Sequence, residues 1–360
     1  MSKSKISKIN LKDIRIAFFD SRSYTEEFFN EANKGFGFKL RYYKPRLNID
    51  SAVMAADADV VCGFVNDDFS APVVDALYST GIKMIALRCA GFNNVDLKSV
   101  FGRIHVARVP AYSPHAIAEH AAALILSLNR KIHRAYYRVL DNNFSIDGLL
   151  GFDLHGKTIG VIGTGQIGKV AISIFRGFGM NVLAADPFPD REAADRQGFS
   201  YTDLDTIFSR SDIISLHCPL TTETRHLINA QSISRMKPGV MIINTGRGAL
   251  IDTPALIASL KEKKIGSAGL DVYEEESDYF FEDFSDSFVD DDVLARLMTF
   301  KNVIITSHQG FFTREALANI AATTLGNIRD LFEGRELKNQ ICYRCSEPSS
   351  CRKKAGGICF

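Results

Sequence analysis

The chain of 360 residues lacks any surplus of charge: 43 Lys and Arg stand against 42 Asp and Glu, a formal net of +1. With no basic excess to displace counterions, a nucleic-acid partner held by bulk electrostatics is excluded. No apolar run approaches the roughly 18 residues needed to span a bilayer, so no membrane association is expected. The polar, basic start, Met1–Asn10, is followed by no apolar stretch of signal-peptide length, and the expected compartment is the cytoplasm. There is no low-complexity linker and no internal repeat beyond an α/β rhythm. What is present, 46% hydrophobic and 24% charged residues, is the composition of a soluble globular protein long enough for two domains.

Cysteine is thinly spread until the end of the chain. Cys62, Cys89 and Cys218 lie in or beside apolar strand-like runs, where a thiol behaves as a small buried hydrophobe. Cys342, Cys345, Cys351 and Cys359 crowd into the last 19 residues. Four thiolates at irregular spacing, interrupted by Arg352, Lys353 and Lys354, leave zinc or redox sensing, a packed appendage and disorder all open for the tail 341–360. No metal is assigned.

Between these limits, strand and helix patterns alternate. The central strand candidates are 158–162, 181–185, 213–216, 240–244, 268–272 and 303–306, with a helix at 166–176. Six strands with intervening helices imply a doubly wound parallel sheet of the Rossmann type. The amino-terminal candidates, 14–19, 40–43, 60–64, 84–87 and 104–106, imply a second, smaller α/β unit with flavodoxin-like strand order. Ser113-Pro114 opens a helix predicted to run to about Arg134, and a second helix begins near Thr313, carries Leu317, Ile320, Ile328 and Leu331 on one face, and ends at Gly334. These two crossings give a discontinuous substrate domain, 1–112 with 309–340, around a nucleotide domain, 113–308. The arrangement suits a cleft that closes by hinge motion.

The first central strand runs into Gly163-Thr164-Gly165-Gln166-Ile167-Gly168, and Asp186 follows the second strand 18 residues after Gly168. Gly163 permits the tight turn, Gly165 the approach of backbone to pyrophosphate, and Gly168 close packing of helix on strand. The helix amino terminus then faces the phosphates. A carboxylate at Asp186 accepts both ribose hydroxyls and repels a 2′-phosphate, which selects NAD over NADP. Cys218-Pro219, Thr245-Gly246 and Asp271 follow or close later strands and are further cofactor candidates.

Three later strand ends carry Arg247, Glu276 and His308. Reducing a 2-keto acid requires a grip on the carboxylate, polarisation of the keto oxygen and delivery of a proton. Arg247 suits the first two tasks, since its planar fork binds carboxylate bidentately and keeps its charge. His308 suits the proton transfer. Glu276 is assigned to orient His308 and favour its imidazolium, although it sits among three consecutive glutamates, any of which could be merely solvated. Ten of the residues 274–292 are acidic and interleave with Phe280, Phe281, Phe284 and Phe288. This segment reads as a folded loop over the domain with a solvated outer side.

The segments Leu87–Asp96, Val109–Pro114, Gly163–Gly168, Asn244–Gly248, Asp271–Glu274 and His308–Phe311 together resemble the D-isomer-specific 2-hydroxyacid dehydrogenase family, over about residues 14–340, and within it the fermentative D-lactate dehydrogenases. The resemblance implies the Arg–Glu–His roles above, NAD as cofactor with contacts from Gln166, Ile167 and His308 besides the residues already named, and a small 2-keto acid, pyruvate first, as substrate. It further implies that the amides of Ala90 and Gly91 hold the carboxylate and that Tyr112 and Phe311 border the side-chain pocket. A homodimer or homotetramer built partly through the helix after Ser113 is also implied. Gly246 stands where the family often has serine. The alternatives are a dehydrogenase for another small 2-keto acid and an NAD(H)-sensing, corepressor-like scaffold.

Overall fold

The computed structural model describes residues 10–275 and 279–343. The chain divides into two units, one of Met1–Ser113 with Thr313–Phe360 and one of Pro114–Phe312. In the first unit β1 (Arg15–Phe18), α1 (Ser23–Asn33), β2 (Lys39–Tyr42), β3 (Val60–Gly63), α2 (Ala71–Ser79), β4 (Met84–Leu87), α3 (Leu97–Val100) and β5 (His105–Ala107) alternate. Their strands form one parallel sheet in the order β2-β1-β3-β4-β5. This is the flavodoxin-like order. Every residue of β3 and β4 is buried, as expected where helices cover both faces of a parallel sheet.

The second unit opens with α4 (Pro114–Arg130) and α5 (Ile132–Leu140). It continues through β6 (Thr158–Ile162), α6 (Gln166–Gly177), β7 (Asn181–Ala185), α7 (Arg191–Gln197), β8 (Ser200–Tyr201), α8 (Leu204–Arg210) and β9 (Ile213–Leu216). After these come α9 (Ala230–Arg235), β10 (Val240–Asn244), α10 (Thr253–Lys261), β11 (Ile265–Leu270), α11 (Asp292–Met298) and β12 (Val303–Ile305). The seven parallel strands take the order β12-β11-β10-β9-β6-β7-β8. Strand order reverses at β6, which lies between β9 and β7. Sheets of this kind receive ligands outside the carboxyl ends beside that reversal. The chain then returns to the first unit as α12 (Arg314–Phe332), capped by Thr313, whose hydroxyl accepts the Ala316 amide at 3.2 Å. Leu317, Ile320 and Ile328 are buried on its inner face.

Three expectations need correction. The sheet has a seventh strand, β8, whose two residues are too few for a periodicity to register. Strand β11 runs from Ile265 to Leu270, not from 268 to 272, because the Asp271 carbonyl turns out of the ladder to accept the His308 amide at 2.7 Å. The helix after Ser113 does not reach Arg134: Lys131 adopts a left-handed backbone with φ of 49° and separates α4 from α5. The break is held from outside the helix. Asn129 Nδ2 donates to the Phe152 carbonyl at 2.7 Å, the Phe152 amide donates back to Asn129 Oδ1 at 2.9 Å, and Lys131 Nζ donates to the Leu150 carbonyl.

Of the tail, Cys342 is buried and Tyr343 meets Phe101 edge to face, with ring centroids 4.9 Å apart. The Ile341 amide donates to the Val106 carbonyl at 2.9 Å, so the start of the tail lies on β5. Cys345, Cys351 and Cys359 lie outside the described residues. Among the described residues no cluster of His, Cys, Asp or Glu could hold a metal ion, and no helix is long and apolar enough to cross a membrane.

Candidate active site

The glycine turn after β6 matches the three separate demands placed on it. Gly163 has φ of 96°, and a Cβ there would lie 2.5 Å from the Cys218 amide nitrogen, so only glycine fits against the next loop. A Cβ on Gly168 would lie 2.0 Å from the Gly163 carbonyl oxygen, which is the close packing of α6 on the turn. Gly165, by contrast, caps α6 with open space where its Cβ would be. That open space at the amino terminus of α6 suits a phosphate group. Gln166 and Ile167 form the first turn of α6.

Asp186 closes this side of the groove. Its carboxylate accepts the Thr164 amide at 2.7 Å and the Phe188 amide at 2.9 Å, which aims it back toward the turn and leaves lone pairs for ribose hydroxyls. The Thr164 hydroxyl meets Tyr201 OH at 2.8 Å, and that oxygen in turn accepts the Asp190 amide at 3.0 Å. On the other side, His217 Nε2 lies 2.9 Å from the buried Ser215 hydroxyl. Burial lowers His217 to about 4 and raises the Cys218 thiol to about 11, so both are neutral in the working range. Pro219 offers its carbonyl to Thr224 Oγ1 at 2.7 Å and so helps hold the loop.

The loops after β10, β11 and β12 are laced together by backbone. The Asp271 amide donates to the Asn244 carbonyl at 2.9 Å, and the His308 amide to the Asp271 carbonyl at 2.7 Å. Asn244 also folds its own loop: its Nδ2 donates to the Arg247 carbonyl at 2.8 Å, and its Oδ1 accepts the Gly246 amide at 3.0 Å. The backbone role of Gly246 therefore survives without a serine. Gly248 lets this loop press on the next, since a Cβ there would lie 2.1 Å from the Tyr273 carbonyl. The adjacent Thr245 hydroxyl is buried with no hydrogen-bond partner among the described residues. Arg247 itself donates from Nη1 to the Gly246 carbonyl at 2.8 Å and meets no carboxylate among the described residues. A guanidinium with no counter-ion among the described residues suits an anionic ligand.

His308 sits in the left-handed region, with φ of 53°. That conformation costs a non-glycine residue roughly 1–2 kcal/mol, so its neighbours must hold it there. The principal support is Asp271, which is buried. Its Oδ1 accepts Thr306 Oγ1 at 2.5 Å and the Gln309 amide at 2.9 Å, and its Oδ2 accepts the Gly310 amide at 2.8 Å. His120 Nε2, from α4, lies 3.2 Å from Oδ1 as well. Burial alone would push the Asp271 carboxyl up, but the hydrogen bonds of His120, Thr306 and Gly310 outweigh it and hold the group below the usual carboxylate value. The Phe281 ring packs 6.0 Å from the imidazole of His308, so the acidic–aromatic loop reaches this site. Phe280 is buried in the unit's core and Phe288 is exposed, in keeping with a folded loop that has a solvated outer side.

Of the three glutamates, Glu274 is committed elsewhere: its Oε1 accepts Arg225 Nη2 at 2.8 Å and His226 Nε2 at 2.9 Å. Glu276 lies outside the described residues. Phe311 is buried and meets Phe312 edge to face at 6.0 Å.

In the first unit, the loop after β4 carries Ala90 and Gly91, whose amides donate to no acceptor among the described residues. The loop is gripped from both ends. Arg108 Nη1 donates to the Ala90 carbonyl at 2.6 Å, and the buried Arg88 donates from Nη2 to the Asp20 carbonyl at 2.8 Å. The Tyr112 carbonyl accepts Asn319 Nδ2 from α12 at 2.7 Å. His120, Thr306 and Arg88 were given no role from the sequence, and Phe281 was named only as part of the acidic–aromatic segment. His120 lay inside a helix read only for length, and the other three are legible only through their contacts.

Comparison with known proteins agrees with this geometry. Residues 122–310 match the model of the D-isomer specific 2-hydroxyacid dehydrogenase NAD binding domain. The D-lactate dehydrogenase of Escherichia coli (strain K12) is 50% identical over 330 residues, 91% of this chain and 100% of that protein. The apo structure of D-lactate dehydrogenase from Escherichia coli superposes with a TM-score of 0.85 at 49% identity, covering 91% of this chain and 100% of that one. A pyruvate reductase structure from Chlamydomonas reinhardtii gives 0.88 at 42% identity, covering 92% and 99%. A D-lactate dehydrogenase from Lactobacillus jensenii, solved with NAD+, gives 0.78 at 33% identity, covering 91% and 99%. The family model over residues 122–310 and the 50% identity over 91% of the chain place this protein in the D-isomer-specific 2-hydroxyacid dehydrogenase family, and residues 122–310 are its NAD-binding domain.

Proposed function

We propose that this NAD-dependent dehydrogenase interconverts pyruvate and D-lactate. The observation that carries the reading is Arg247, a guanidinium with no carboxylate partner among the described residues, on a loop tied through Asp271 to the backbone of His308. The substrate class is supported by relatives named D-lactate dehydrogenase at 50% identity.

NADH, held along Gly163, Gly165 and Gly168 with Asp186 at the ribose, supplies the hydride. The remaining work belongs to side chains. Arg247 binds the substrate carboxylate as a bidentate fork and draws charge toward the keto oxygen. His308 gives its proton to that oxygen as the carbonyl is reduced, and takes it back in the oxidative direction. Glu276 orients the imidazole. The unengaged amides of Ala90 and Gly91 are assigned to the carboxylate, and Tyr112 and Phe311 to the borders of a small apolar side-chain pocket.

The test is a panel of 2-keto acids assayed with NADH and NADPH, beside His308→Gln. Pyruvate with NADH should lead the panel. The variant should lose on the order of 10²–10⁴-fold in kcat, the usual worth of a general acid, while keeping its NADH affinity. A preference for a longer keto acid would reassign the substrate, absence of turnover across the panel would favour the sensing scaffold, and a near-normal variant would remove His308 from the chemistry.

A homodimer or homotetramer in the cytoplasm completes the proposal. In α5 and the segment after it, Tyr136, Tyr137, Leu140, Phe144, Ile146 and Leu150 are all more than half exposed. So many exposed large apolar side chains in one stretch support a surface that a partner covers. A monomeric mass in light scattering would overturn the oligomer.

A further inference from the structure

We propose that His120 is a positioning residue for proton transfer at His308, a role that rests on the assignment of His308 as the acid/base group. The argument begins with one proton. The Thr306 hydroxyl lies 2.5 Å from Asp271 Oδ1 and has a single hydrogen to give. The Asp271 carboxyl is held below its ordinary value and can only accept, so the hydroxyl donates to it. His120 Nε2 lies 3.0 Å from the same hydroxyl and 3.2 Å from Oδ1. Both of these oxygens need a donor at that point, so Nε2 of His120 carries a proton.

The consequence reaches the loop that bears His308. Thr306, Gln309 and Gly310 all donate to the Asp271 carboxylate, and the His308 amide donates to the Asp271 carbonyl. One buried aspartate thus holds Thr306, His308, Gln309 and Gly310 around a backbone in the left-handed region. His120 is the side-chain donor that reaches this cluster from a different element. It comes from α4, which packs on β10, β11 and β12. The fit is close: a Cβ on Gly310 would lie 2.9 Å from Asp271 Oδ2 and 3.4 Å from His120 Cδ2. Without the Nε2 proton, Thr306 and Asp271 lose the donor that sets their rotamers, and the imidazole of His308 loses its aim.

The experiment compares His120→Leu, which keeps bulk and loses the donor, with His120→Gln, whose amide nitrogen can stand where Nε2 stands. Each full-length variant is measured for kcat and KM with pyruvate, for NADH dissociation constant and for melting temperature, with His308→Gln alongside. We expect His120→Leu to lower kcat about ten- to hundredfold, the scale of one unsatisfied buried group expressed at the reacting centre, with NADH affinity within about threefold of the parent. His120→Gln should restore kcat to within about threefold. The inference fails if His120→Leu retains kcat within twofold, if Leu and Gln lose kcat equally, or if the loss follows melting temperature across both. A collapse in His308→Gln combined with any of these results would sink the inference alone. A near-normal His308→Gln would sink the acid/base assignment first and the inference with it.

Discussion

Two buried aspartates, one in each unit, are equally hidden from solvent and titrate in opposite directions. Asp67, after β3, and Asp271, after β11, are each 1% exposed. Burial drives Asp67 up to about 6, against the pull of Arg88 and of two amides, those of Leu47 and Phe64, each 2.6 Å from its oxygens. Asp271 meets the same penalty from burial and still falls below the ordinary value, because its donors include the His120 ring and the Thr306 hydroxyl besides two amides. Surface exposure alone therefore does not decide the charge; the balance between desolvation and the donors converging on the carboxylate does. The first arrangement secures a loop. The second secures a loop and favours a negative charge beside the residue assigned to move the proton.

The comparison breaks most visibly at Asp271. Asp271→Asn removes the charge and presents two amide hydrogens to a cluster of donors, so kcat should fall about tenfold to a few hundredfold, measured under saturating pyruvate and NADH. A variant within threefold would show that the charge is dispensable. Asp67→Asn should leave kcat within about threefold, since its cost is one amide, Leu47 or Phe64, without an acceptor. That cost, roughly 1–3 kcal/mol, should appear as a lower melting temperature. A large loss of turnover without destabilisation would abolish the distinction between the two sites.

The pH dependence should separate the pair with opposite signs. The Asp67 value is raised on folding, so its contribution to stability is fully present below the unfolded value and is lost as pH rises through about 6. Asp67→Asn should accordingly compare better with the parent at pH 7 than at pH 4. The Asp271 value is lowered, so its contribution is present above the unfolded value and is lost as pH falls through the folded one. Asp271→Asn should thus compare better with the parent only in acid. Melting curves of both variants across this range give the check, and slopes of the same sign would refute the contrast.

Much of the architecture was legible in residue order. Strands β6, β7, β9 and β10 coincide with their expected limits, since each is a short, mostly apolar and mostly buried run bounded by turn residues. The glycine turn was legible, including the tight turn at Gly163 and the close packing at Gly168. The helix break at Lys131 was not, because nothing in Lys131 itself ends a helix. What ends it is Asn129 paired with Phe152, more than twenty residues along the chain. Asp271 stood out in the sequence as a cofactor candidate, but its four donors did not, since the histidine among them lies 151 positions away by numbering, at 120.

From residue order alone came the two α/β units, the NAD fingerprint and the three residues named for the chemistry. Each of these depends on local spacing, such as a period of two or 3.6, a turn that admits only glycine, or a charged side chain at the end of an apolar run. The left-handed backbone at His308, the ionised state of Asp271 and the part taken by His120 were decided only by tertiary structure. They arise where loops from different strands and one helix meet out of water. There, the sign of a charge depends on which donors the fold delivers, and no spacing within a single segment encodes that.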